Sequence, residues 1–114
     1  MQRSPALYLA KIQEMADYLL SRTAARTQED YLHDLDFQLA AERAFIVIGE
    51  AMSLLRTHFP AVAEALEHQN SVIGFRNILV HRYWEVDNRE VWSILTTEVK
   101  PLKVAVDALL ATQH

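Results

Sequence analysis

Five residues within eleven, in the segment GFRNILVHRYW at positions 74 to 84, have side chains that can grip or transform a ligand: Arg76, Asn77, His81, Arg82 and Tyr83. They sit among Phe75, Ile78, Leu79 and Val80, where hydrogen-bonding and titratable groups are uncommon. An imidazole titrates near neutrality, so His81 can give and take protons. A guanidinium carries a permanent charge on a planar fork that fits phosphate oxygens, which suits Arg76 to an anionic group. Asn77 lies one helical turn before His81 and can orient its ring or bind a ligand oxygen. The set suffices for cleavage of a ribose-linked phosphodiester without a metal. The 2′-hydroxyl would attack the adjacent phosphorus, His81 would move protons, and Arg76 would offset the crowded negative charge. Residue types alone favour a structural Arg–Asn–His network over that chemistry.

The elements that must position these groups read as helical throughout the 114 residues. There are only two glycines and three prolines, no hairpin dipeptide and no sustained alternation of apolar and polar residues. Ser4 as N-cap and Pro5 open a first helix with Tyr8, Ile12, Met15 and Leu19 in one stripe, fading near Arg22 to Arg26. Thr27 starts a short helix. A long helix follows through Phe45, Ile48, Met52, Leu55 and Phe59, stopped by Pro60. A fourth helical region spans about 70–83. The last starts at Asp87, where DNRE reads as a capping box with Glu90, and bends at Pro101. The sum is one all-α domain over 1–114, a four- to five-helix up-and-down bundle. Gly49 and Gly74 interrupt helical patterns at a cost of about 1 kcal/mol each, which close approach of a backbone or ligand would explain.

On a helical wheel Val72, Phe75, Ile78 and Leu79 form a bundle face. Ile73, Val80 and Trp84 form a second apolar side, rimmed by Asn77 and His81, with Arg76 and Tyr83 at the seams. Such a helix is either deeply buried or packs on a second chain, and a two-fold axis would bring two polar clusters together. Arg76 and His81 are five residues apart, about 140° around an ideal helix. They converge on one phosphate only if the helix end distorts or both chains contribute.

Composition narrows the classes. The net charge of −4 argues against a general DNA binder and leaves room for a local arginine cluster. No cysteine is present, so disulfides and thiolate metal sites are excluded. His33, His58, His68 and His114 show no metal-ligand spacing, and no metal or cofactor is expected. The N-terminal residues lack a signal-peptide core and no run reaches the length of a membrane span, so a cytoplasmic protein is expected. Arg43 and Glu50, seven apart, read as a structural pair; an ion pair with Glu50 is also the bland role for Arg76. Trp84 and Trp92 read as core or interface residues.

RNILVHRY, residues 76–83, fits R-x-x-x-x-H-x-Y and resembles the signature of HepT-like toxins of the HEPN superfamily. The likeness extends to ERAFIVIGEA (42–51) and RYWEVDNREVW (82–92), and covers about residues 4 to 110. It implies a HEPN-like homodimer with ribonuclease activity at the dimer cleft. Arg76 and His81 would be the catalytic pair, with Asn77 supporting; apart from the resemblance, Arg82 reads as projecting elsewhere and is a minor candidate for RNA contact. The resemblance also implies a partner, an MntA-type nucleotidyltransferase antitoxin that transfers AMP to the motif tyrosine, here Tyr83. The competing class is a non-catalytic nucleotide-binding or scaffold subunit that docks a nucleotidyltransferase. Which RNA is cut, and where, is not written in the sequence.

Overall fold

A computed structural model describes residues 3–113, and they are helical with no strand. Seven α-helices follow in chain order: α1 (Pro5–Thr23), α2 (Gln28–Leu32), α3 (Leu35–His58), α4 (Pro60–Ala63), α5 (Gln69–His81), α6 (Asn88–Thr97) and α7 (Val99–Leu110), with a 3-10 turn at Tyr83–Glu85. The bundle is therefore all-α as expected, with four long helical segments and short connectors between them.

The helix starts follow local chemistry. The Ser4 hydroxyl accepts from the Leu7 N–H, with Pro5 at the first position. At Thr27 the hydroxyl accepts from the Asp30 N–H and the Asp30 carboxylate from the Thr27 N–H, a reciprocal capping box. At Asp87 the box expected with Glu90 does not form; the carboxylate accepts from the Arg89 N–H instead. Asp34 caps α3 by accepting from the Phe37 N–H. That bond, with help from Arg26 at 3.0 Å, holds the Asp34 carboxyl below the ordinary carboxylate range.

α3 is the central helix. Phe37, Ala41, Phe45, Ile48, Met52 and Leu55 are buried along it, and α1 supplies Leu9, Ile12, Ala16 and Leu19. Tyr8 near the start of α1 meets His58 and Phe59 at the end of α3, while Arg22 stacks over Phe37 at the other end, so the two helices run antiparallel. α7 completes this half through a polar clasp on α1: Gln13 donates to Asp107 (2.6 Å), and Lys103 reaches Asp17 (2.7 Å) and Asp107 (2.8 Å). Bonding to Asp107 and Asp17 raises the Lys103 pKa; bonding to Lys103 and Gln13 lowers that of Asp107.

Two expectations about the second half need correction. The fourth helical region ends at His81, two residues early, because Arg82 leaves helical geometry at φ −137°, ψ 42°. The last helix is broken at Glu98 into α6 and α7, one turn before Pro101. Pro101 has no N–H for the Thr97 carbonyl and crowds it, and the Thr96 and Thr97 hydroxyls bond back to the Ser93 carbonyl. The bend at Pro101 therefore appears as a break. Among the described residues no helix is long and apolar enough to cross a membrane.

Candidate active site

α3 and α5 form an antiparallel hairpin whose spacing is set by Gly49. A Cβ at that position would collide with the Cβ and Cγ of Arg76 and meet the Val72 carbonyl at 3.4 Å. Close approach of another backbone is thus the reason for Gly49. Gly74 has nothing within 4 Å of where its Cβ would stand, so no contact within the chain requires it. Further along the same pair, Phe45 meets Phe75 edge-on at 5.3 Å and Arg56 donates to Asn70 at 2.7 Å.

This close packing delivers Arg76 to the seam. Its guanidinium donates to Glu50 (2.5 Å) and to the Asn77 amide oxygen (2.7 Å), and its side chain is 27 % exposed. The buried Nε–H has no partner. Glu50 therefore pairs with Arg76, and the Arg43–Glu50 pair expected from the sequence does not form. Two of the guanidinium's five donors are engaged by protein in a fixed orientation, which leaves others for an anion.

His81 is the last residue of α5 and is exposed, with no hydrogen-bond partner among the described residues. Asn77 does not hold its ring; the Asn77 oxygen is taken by Arg76. α5 stays regular to His81, so distortion begins only after it and does not swing the imidazole toward Arg76. Within one chain the two side chains point to different sides of the helix.

Beyond the helix end, Arg82 pairs with Glu85 at 3.4 Å. Tyr83 is 66 % and Trp84 69 % exposed, their rings in an edge contact at 5.3 Å. Val80, at 39 %, extends the patch. Ile73, expected on the second apolar side, packs on the core, so that side reduces to Val80 and Trp84. Trp84 lies outside the core of this chain, whereas Trp92 packs against Tyr31 at 5.7 Å. No cluster of three His, Asp or Glu side chains fit to hold a metal occurs among the described residues; His114 lies outside them.

The profile of the Ribonuclease HepT-like family matches residues 8–109. The chain belongs to the HepT-like ribonuclease family. It is accordingly an endoribonuclease of the HEPN superfamily. Among curated relatives, "Probable ribonuclease HepT" of Thermococcus cleftensis is 30 % identical over 90 % of this chain and 93 % of its own length. "Putative RNase TTE0752" of Caldanaerobacter subterraneus is 27 % identical over 95 % and 96 %. "Putative RNase MJ1380" of Methanocaldococcus jannaschii is 27 % identical over 93 % and 96 %. No solved structure matches significantly.

The family match spans α1 to most of α7, so the HepT-like fold accounts for the whole bundle and not for the motif alone. What sequence reasoning missed is Lys11, which lines one cavity with Arg43 and Arg76 once α1 folds against α3. Its signal is absent from the sequence because the three residues are far apart in the chain.

Proposed function

We propose that the protein is the toxin ribonuclease of a toxin–antitoxin pair and acts as a homodimer, all of the chain forming one domain that works in the cytoplasm. The observation that carries this reading is the arrangement on α5. An exposed imidazole without a hydrogen-bond partner among the described residues ends the helix, about one and a half turns from a guanidinium held by Glu50 and Asn77. A regular helix keeps Arg76 and His81 of one chain apart, so a second chain docked on the Val80–Trp84 patch is the economical way to bring the two groups onto one phosphate. The relative from Thermococcus cleftensis carries the name HepT, which supports the toxin class.

In the cleft, the 2′-oxygen attacks phosphorus and its proton passes to His81. The bond to the 5′-oxygen breaks, and that oxygen takes the proton back from the His81 imidazolium as it leaves, giving a 2′,3′-cyclic phosphate and a 5′-hydroxyl. Arg76 offsets the charge on the phosphoryl oxygens, Asn77 keeps the guanidinium in place, and Arg82 is a further RNA contact. No metal or cofactor takes part.

Regulation falls to an MntA-type nucleotidyltransferase antitoxin. The Tyr83 phenol, which is open to solvent, attacks the α-phosphorus of ATP, displaces pyrophosphate and carries AMP. An adenylate two residues from His81 adds bulk and negative charge where the RNA phosphate must sit.

Purified protein should cut RNA, and His81→Ala should abolish cutting with unchanged circular dichroism. Intact-mass analysis after co-expression with the nucleotidyltransferase should show AMP on Tyr83. Wild-type protein that neither cuts RNA nor slows growth would replace this reading with the scaffold role.

A further inference from the structure

A cavity of about 460 Å³ adjoins Arg76 between the start of α1 and the middle of α3. Its floor is apolar, with Leu7, Ile46, Val47 and Leu54. Its charged residues are Lys11, Arg43, Arg76 and Glu50, three cations against one carboxylate in a chain of net charge −4. Glu50 is committed to Arg76. Lys11 has only an exposed contact with Glu14 at 3.3 Å, and Arg43 has no carboxylate within 4.0 Å among the described residues.

Direction along the hairpin matters as well. Arg43 lies seven residues before Glu50 on α3, about 10 Å at 1.5 Å per residue. His81 lies five residues after Arg76 on the antiparallel α5, about 7 Å the same way. Arg43 thus extends the charged lining from the Glu50–Arg76 pair toward the end of the hairpin that holds the imidazole. Lys11, one turn after Tyr8 on the antiparallel α1, extends it the other way, toward the end of α3 at His58. A positive wall over an apolar floor, continuous with the arginine of the reaction, suits a nucleotide: phosphate on the cations, base on the aliphatic side chains.

We propose that this cavity is a subsite for single-stranded RNA, in which Arg43 and Lys11 each hold a phosphate neighbouring the one cleaved and the apolar floor receives a base. It rests on the ribonuclease reading above and adds to it a place where the strand is gripped before and after the cut. An acidic segment of a protein partner is the competing occupant, and RNA is favoured because Arg76 is shared between this cavity and the reaction.

The test is fluorescence anisotropy with a labelled 2′-O-methyl oligoribonucleotide, which cannot be cut, titrated at several salt concentrations. Arg43→Ala and Lys11→Ala should each weaken binding about tenfold, the value of one charge-assisted contact. Each should also make the slope of log affinity against log salt about 0.7 shallower, one phosphate contact on a single strand. Arg43→Lys should retain the wild-type slope. In cleavage assays both alanine variants should raise KM with kcat kept. Wild-type protein that cuts RNA while both variants bind and cut as it does would overturn the subsite and leave the nuclease standing. Wild-type protein that neither binds nor cuts RNA would overturn both.

Discussion

α3 buries ten of its 24 residues, whereas α5, thirteen residues long and packed against it, buries Leu79 alone. Around α3 the cap is filled by Asp34, Glu50 is paired with Arg76, and Tyr31 is sealed in, where burial and then the Glu42 charge raise its phenol pKa. At the end of α5 an imidazole, a phenol and an indole stand in solvent. The difference teaches where this protein spends stability and where it withholds it. A scaffold held by apolar burial tolerates an edge that gains nothing from folding, and the groups proposed to meet an RNA strand or a second chain are drawn from that edge.

The contrast breaks most visibly under core truncation. Met52→Ala, at a position with no exposure, should lower unfolding free energy by about 2–5 kcal/mol in urea denaturation, with activity lost only in proportion to unfolded protein. Next comes the hinge between the two regions. Gly49→Ala gains about 1 kcal/mol of helix propensity. The added methyl, however, must push against the Arg76 Cβ, which sits next to the α5 backbone and cannot swing away. A net loss of about 1–3 kcal/mol is expected, with a fall in kcat because Arg76 is displaced.

Acid should act on the scaffold and spare the edge, by a smaller amount. Asp34 and Asp107 have lowered pKa values in the folded state. Their contribution is present above the unfolded carboxylate value, about 3.9, and is lost as pH falls through the folded values. Thermal midpoints should therefore decline below about pH 4, and Asp107→Asn should flatten part of that decline. Glu42 has the opposite sign: burial raises its pKa, so its contribution falls as pH rises through the unfolded and then the folded value. The smallest stability effect sharpens the comparison furthest. His81→Ala should change unfolding free energy by no more than about 0.5 kcal/mol, as expected of an exposed side chain, while cleavage falls about 10²- to 10⁴-fold.

Much of the scaffold is legible in the chain because its causes are local. Ser4, Thr27 and Asp87 cap helices through bonds spanning two or three residues, and the stripe from Phe45 to Leu55 repeats at helical spacing. The 3-10 turn after His81 is not legible, since Tyr83 and Trp84 would continue a helix as readily as leave one. The Glu50–Arg76 pair was one of two partners the sequence allowed for Glu50. It was decided by Gly49, which lets α5 come close enough to take the carboxylate from Arg43.

From its own residues the chain determined that it is all-helical, that one short segment carries an arginine and a histidine in the spacing of the HepT-like signature, and that no thiol chemistry is open to it. Tertiary structure alone decided that Arg76 is held by Glu50 and Asn77, that His81 is left free, and that Lys11 and Arg43 border the same cavity. The reason is range. Capping and helical periodicity act within one or two turns, whereas the side of a helix that stays open is fixed by the helices packed against it.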